Sequence, residues 1–206
     1  STVYSNPLPA PDTGVRDAGT LRFVQASLLV LFTYVFLANA WMGDDAHTTF
    51  RSVWNFVHGY GLTYNPDERV QAYTHPLWMF AITAAHLVTG EFFFTVTALS
   101  WIFDVAAGVV VLRRARTMGS AVLMVLWLIS SKALIDYTSS GLEYPLSYFL
   151  LALFYVRYLE RRLETPTVGE LRSFTLVAAL AFVNRSDTVL LFGIPLAEMT
   201  LWSLIR

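Results

Sequence analysis

The chain has 206 residues, 55% of them hydrophobic and 14% charged, with a formal charge of −1. Its apolar residues fall in long blocks rather than with a helix or strand period, the composition of an all-α polytopic membrane protein and not of a soluble domain. The near-neutral charge excludes a nucleic-acid face, and the absence of cysteine removes disulfides, zinc–thiolate sites and thiol catalysis.

Residues 1–20, rich in proline and glycine between Pro7 and Gly14, are expected to form a flexible cytoplasmic tail before a transmembrane domain over 21–206. The first apolar block, Phe23 to Met42, follows Arg16 and Arg22. Its Ala38-Asn39-Ala40 has the form of a signal-peptidase site, but the run is long enough to span a bilayer and reads as a retained helix. Further apolar blocks occupy 76–89, 91–112, 120–137, 142–156, 171–183 and 188–205. The chain stops at Arg206 without a polar tail, which predicts the amino-terminal part of a longer protein.

Charge sets the expected topology. Arg113, Arg114 and Arg116, then Arg157, Arg161, Arg162 and Arg172, then Arg206, should share the cytoplasmic side with Arg16 and Arg22. This puts ten of the fourteen basic residues inside, provided block 76–89 does not cross fully. That block starts at a proline and holds fourteen residues before Gly90, so it reads as a re-entrant or interfacial helix. Six spans follow, 22–42, 91–112, 120–137, 142–157, 171–184 and 188–205, with both ends cytoplasmic. Three polar places then face outward: 43–90, 138–143 and 184–187.

In the first outer loop, Phe50, Val53, Trp54 and Val57 recur at helical spacing after Asp44-Asp45, predicting an amphipathic helix lying on the membrane surface. One aspartate can cap that helix; a cap needs one carboxylate and not two. The second is available as a general base, or the pair could hold a divalent ion. Tyr64-Asn65-Pro66 reads as a turn, and Tyr73-Thr74-His75-Pro76-Leu77-Trp78 brings an imidazole and aromatics to the start of block 76–89, with Trp78 expected as an interface anchor. His75 either bonds a backbone group or contacts phosphate. Within the spans, Asp104 needs a partner or a function, Lys132 and Asp136 are spaced to pair, and Glu198 could face the bundle interior.

The run Asp-Asp, Phe-Arg-x-x-x-Asn, Gly-Tyr-Gly-Leu-x-Tyr-Asn-Pro-x-Glu-Arg-Val, Tyr-Thr-His-Pro-Leu-Trp resembles the first extracytoplasmic loop of the GT-C superfamily of polyprenyl-phosphate-sugar-dependent glycosyltransferases. It is most similar to the terminal arabinofuranosyltransferase branch. Thr138-Ser139-Ser140-Gly141-Leu142-Glu143 and Asn184-Arg185-Ser186-Asp187 resemble that branch's Ser-Gly-Leu-Glu and Arg-Pro-acid segments, so the likeness runs over 22–195. The resemblance implies a GT-C-like helical core and a catalytic base at Asp44 or Asp45. It also implies a supporting or metal-binding role for Glu143, with a divalent cation as a conceivable cofactor. Ser186 and His75 depart from the branch, where proline and a small or amide residue are usual.

An activated sugar phosphodiester leaves as a phosphate monoester. The enzyme therefore chiefly needs a base for the acceptor hydroxyl and positive charge for the departing phosphate. Arg51, Arg69, His75 and Arg185 are the outward cationic candidates, with Tyr73, Glu143 and Asp187 completing the expected substrate-binding set. The expected activity is inverting transfer of arabinofuranose or another sugar to a cell-envelope glycan or lipid acceptor, at the outer face of a bacterial inner membrane. A transporter or flippase of lipid-linked sugar would show internal repeats, and no second copy of the loop is present. A non-catalytic membrane subunit would not need three polar outer loops.

Overall fold

A computed structural model describes residues 13–68, 70, 72–161 and 166–205, with side chains from residue 18 onward. Over these residues the chain is helical and carries no strand: α1 (Thr13–Ala38), α2 (Asp44–Val57), α3 (Pro76–Thr89), α4 (Phe93–Leu112), α5 (Met118–Ser130), α6 (Lys132–Thr138), α7 (Tyr144–Arg161), α8 (Val168–Asn184) and α9 (Val189–Ile205). A single 3-10 turn, Ser186–Thr188, leads into α9. Ala18–Ala38, Phe93–Leu112 and Ser186–Ile205 are each long and apolar enough to cross a membrane. The protein is an all-α membrane protein.

Local chemistry sets the helix ends. Pro76 opens α3, where a missing N–H costs nothing, and Gly90 closes it in the left-handed conformation at φ 70°. The Glu91 carboxylate accepts from the amides of Phe93, Phe94 and Thr95 and so starts α4. Thr117 with Ser120 and Thr167 with Glu170 form reciprocal capping boxes at the starts of α5 and α8.

The helices share two ends. At one, Gln25 Nε2 donates to the Leu112 carbonyl at 2.7 Å, Arg114 pairs with Glu160, and Arg161 lies 3.3 Å from Glu170. The first half of α1, the ends of α4 and α7, and the start of α8 therefore lie together, with Arg22, Arg114 and Arg161 among them. At the other end, Ser139 Oγ donates to the Asn39 carbonyl, the Gly43 amide to the Ser140 carbonyl, and Asn184 Nδ2 to the Glu143 carbonyl. Helix α3 enters and leaves at this second end. Its Trp78 bonds to Gly141, its His86 stacks on Phe92, and Phe92 in turn stacks on Phe50 of α2. At fourteen residues α3 is about 21 Å long, short of the ~30 Å hydrocarbon core.

The structure departs from the sequence expectations at four places. Residues 13–20, expected as tail, belong to α1, because an established helix extends at one backbone bond per residue. Block 120–137 is broken at Ser131, whose extended backbone and side-chain cap on Leu134 N start α6 at 76° to α5. The apolar face of α2 is divided: Phe50 and Val53 are buried in the protein core with Trp78, Met79 and Ile82, while Trp54 is 45% exposed. Trp78 is not an interface anchor, being 0% exposed with its indole donating to the Gly141 carbonyl at 3.0 Å. The expected tail's residues 1–12, Arg69, Arg162 and Arg206 lie outside the described residues.

Gly141 carries the turn that joins the second loop to this core. Its φ is +85°, and a Cβ there would meet Met42 Sδ at 2.1 Å and Ala46 Cβ at 3.0 Å. Gly141→Ala is expected to destabilise the fold by about 1–3 kcal/mol through backbone strain and overpacking. Gly119, with nothing within 4 Å of its would-be Cβ, serves as the control. Thermal unfolding in detergent should show a lower midpoint for Gly141→Ala than for Gly119→Ala; equal midpoints would remove the constraint.

Candidate functional site

Helix α2 starts at the bundle's polar end, where Gly43 is the N-cap in extended conformation and its amide is held by the Ser140 carbonyl at 2.9 Å. Neither aspartate is the cap. Asp44 and Asp45 occupy the first helical turn, both exposed, and neither makes a hydrogen bond or ion pair among the described residues. The unpaired amides of that turn favour negative charge there. A rotation of about 100° per residue separates the two: Asp45 lines a pocket and Asp44 points along the outer face of the helix.

That pocket has a volume of about 350 Å³ and is walled by Asp45 and Thr48 from α2, Tyr73 and His75 from the approach to α3, Glu143 from the second loop, and Arg185 from the third. Three segments distant in sequence meet there. Glu143 is delivered by the Gly141 turn and by Asn184, whose Nδ2 bonds both the Glu143 carbonyl at 3.1 Å and Ser147 Oγ at 2.9 Å. Arg185 follows the last turn of α8, its amide on the Ala181 carbonyl and its carbonyl accepting from Thr188.

The charged groups form a chain. The Glu143 carboxylate is 3.4 Å from His75 Nδ1 through one oxygen and 3.4 Å from Arg185 Nη1 through the other. Thr49 Oγ1 and His75 Nε2 share a hydrogen bond of 2.8 Å; with Nδ1–H facing the carboxylate, the Thr49 hydroxyl is the donor. Arg185 donates to both Asp187 oxygens, at 3.1 and 2.6 Å, and its guanidinium lies 4.7 Å over the Tyr144 ring. Burial holds the His75 pKa below the usual histidine value; the Glu143 charge opposes this and the Arg185 charge adds to it. The bonds to Asp187 raise Arg185 above the ordinary arginine value, so it stays a cation at any working pH.

Of the residues singled out from the sequence, Asp45, Tyr73, His75, Glu143 and Arg185 line this pocket, and Asp187 adjoins it through Arg185. Asp44 and Arg51 do not line it. Arg51 bonds Asn65 Oδ1 at 2.9 Å and lies 4.4 Å over the Tyr64 ring. Arg69 is outside the described residues. Thr49, Tyr144 and Asn184 were not anticipated. Each sits beside a singled-out residue in sequence or on a helical turn, but only the fold brings them onto His75, Arg185 and Glu143.

Among the described residues no three His, Asp or Glu side chains gather as ligands, and both Glu143 oxygens face His75 and Arg185. In the spans, Lys132 pairs with Asp136 and Tyr158 donates to Glu198. Asp104 is buried with Oδ2 unpartnered.

No protein-family model matches the chain, and no solved structure matches it. Among curated proteins, a terminal beta-(1->2)-arabinofuranosyltransferase of Corynebacterium glutamicum is 32% identical over 120 residues. The match covers 55% of this chain and 18% of that protein, so the chain spans less than a fifth of the relative's length.

Proposed function

We propose that this chain carries the active site of a membrane glycosyltransferase that transfers a sugar from a polyprenyl-phosphate donor to a glycan or lipid acceptor at the outer face of the membrane. The observation that carries the reading is the meeting of three separate loops on one pocket lined by both an exposed carboxylate, Asp45, and an arginine, Arg185. The partial likeness to an arabinofuranosyltransferase supports the reaction class and makes arabinofuranose the first sugar to test.

In this reading Asp45 takes the proton of the acceptor hydroxyl as its oxygen attacks the anomeric carbon. The bond from that carbon to the phosphate oxygen breaks with its electron pair, and polyprenyl phosphate departs as an anion facing Arg185. A single displacement inverts the anomeric centre. Glu143 holds Arg185 from one side and Asp187 from the other, and His75 with Thr49 holds Glu143. The aspartates are thereby separated in role, with Asp45 as base and Asp44 outside the chemistry.

Asp45→Asn is expected to lower the rate of sugar transfer about 10²- to 10⁴-fold with donor binding retained, and Asp44→Asn to lower it by less than tenfold. Radiolabelled sugar transfer in membranes, with donor binding measured in parallel, separates the two. Wild-type-like transfer by Asp45→Asn would remove the base assignment.

The reading also requires six crossings with the pocket outside, which the gathering of arginines at the opposite end supports. In this cysteine-free chain, single cysteines at His47 and Ser186 should label with a membrane-impermeant maleimide in intact cells, while those at Arg116 and Gly169 should not. Labelling at Arg116 with silence at Ser186 would reverse the topology.

His75 adds a pH signature. Folding lowers its pKa, so the unfolded chain binds more protons just below pH ~6.5 and stability falls as the pH drops through that value toward the folded pKa. The thermal midpoint should decline between about pH 7 and pH 5 and decline less in His75→Gln. Parallel pH profiles for the two proteins would contradict the assignment.

A further inference from the structure

The end of the bundle opposite the site carries a hollow between α1 and α4 that the proposed transfer step does not use. Ala18 and Ala26 lie one helical turn to either side of Arg22, so no bulky side chain fills that face of α1. Across the hollow stand Arg113 and Arg114 at the end of α4, and Gln25 Nε2, bonded to the Leu112 carbonyl at 2.7 Å, ties the two helices together. The cavity has a volume of about 760 Å³, and arginines line it with no acidic residue among them.

These arginines differ in what they already hold. Arg114 is paired with Glu160, whereas Arg22 and Arg113 are exposed and neither side chain makes an ion pair or hydrogen bond among the described residues. Two guanidinium groups turned to one cavity repel each other unless an anion lies between them. Phosphate is the matching anion, since its oxygens accept paired N–H groups from the planar guanidinium fork.

The hollow does not end at the arginines. Leu29 and Leu112, which belong to its wall, also line a second cavity of about 650 Å³ among α1, α4, α5 and α7, with Gly108, Val111 and Met124. The one acid of that second cavity, Asp104, lies about 12 Å along α4 from Leu112, clear of the shared wall. A cationic cavity that continues into an apolar one has the form of an amphiphile with an anionic head. A free anion would match the first cavity and make no contact with the second. Arginines that only fix the orientation of a membrane protein act by their number on one side, and need neither a shared cavity nor an apolar continuation. The bilayer around the apolar helices supplies the amphiphile.

We propose that this end of the bundle binds an anionic phospholipid, with its phosphate between Arg22 and Arg113 and an acyl chain passing Leu29 and Leu112 into the cavity beyond. The inference is independent of the transferase reading. A lipid held there touches α1 and α4 together, so it braces one helix against the other and stabilises the folded chain.

The test uses the full chain in detergent, with dioleoyl phosphatidylglycerol, dioleoyl phosphatidylcholine and inorganic phosphate as probes, read by native mass spectrometry and by the thermal midpoint. Wild-type protein is expected to bind the phosphatidylglycerol about 10- to 30-fold more tightly than the phosphatidylcholine and to melt higher in its presence. Arg22→Gln with Arg113→Gln should abolish that preference. Arg116→Gln, which removes a charge of the same sign from an exposed residue outside the cavity, should keep it. Val111→Phe, and separately Ala107→Leu on the same lining, should weaken both lipids by filling the apolar cavity. Equal binding of the two lipids by wild type would overturn the proposal, as would a preference that survives the double variant or is lost equally in Arg116→Gln. Inorganic phosphate that binds as tightly as phosphatidylglycerol, with lipid binding untouched by Val111→Phe and Ala107→Leu, would also overturn it and make the hollow a site for a free anion. These readouts do not involve sugar transfer, so the transferase reading and this one fail separately.

Discussion

The site depends on the Glu143 carboxylate, withdrawn from water where the three loops meet. A buried anion is tolerated only where opposing charge and hydrogen bonds offset its lost hydration, and here His75 and Arg185 supply them from different loops. The consequence is mutual. Glu143 needs both partners, and the partners' loops are held in register by needing Glu143. The chain continues outward through Thr49 on one side and Asp187 on the other, so one carboxylate links α2, the start of α3, the start of α7 and the α8–α9 junction.

The bundle beneath exists to present those segments on one side. Helices α1, α6 and α8 finish at the end of the bundle that carries the site, α4 and α7 start at that end, and Arg114, Arg157 and Arg161 gather at the other. Helix α3 is the exception that makes the arrangement work. By entering and leaving at the same end, it lets α2 pack Phe50 and Val53 on protein and keeps Asp45 at the pocket. The inward face of α2 is thus spent on folding, while Asp44, Arg51 and Trp54 on its other side stay exposed.

Part of this was legible in the sequence. Block hydropathy marks α1, α3, α4, α7, α8 and α9, and the three polar places, singled out with Asp44 and Asp45 foremost, hold Asp45, Tyr73, His75, Glu143 and Arg185, which the fold brings to one pocket. What could not be read depends on tertiary contact. Trp78 at a loop boundary has the same local signature whether it anchors in headgroups or donates to Gly141, and only packing distinguishes the two. The apolar spacing of Phe50 and Val53 fixes a buried face without saying whether lipid or protein buries it. Arg51 and Arg185 are both arginines in polar segments between the apolar blocks, yet one lies over Tyr64 and the other lines the pocket, a difference of side-chain direction that residue type does not encode. The break at Ser131 follows from a serine capping the next helix, and a serine pair inside an apolar run carries no signal strong enough to separate that from an uninterrupted span.

The alignment of Asp45 with the second loop runs through main-chain atoms, the Gly43 amide on the Ser140 carbonyl. A bond between backbone groups is indifferent to which side chains surround it. The first turn of α2 is therefore held to the second loop by a joint that substitutions at Thr48, Tyr73 or Ser186 do not touch. The walls of the pocket can change in shape and polarity while the start of α2 keeps its register against the second loop, so the lining is free to vary on a fixed frame.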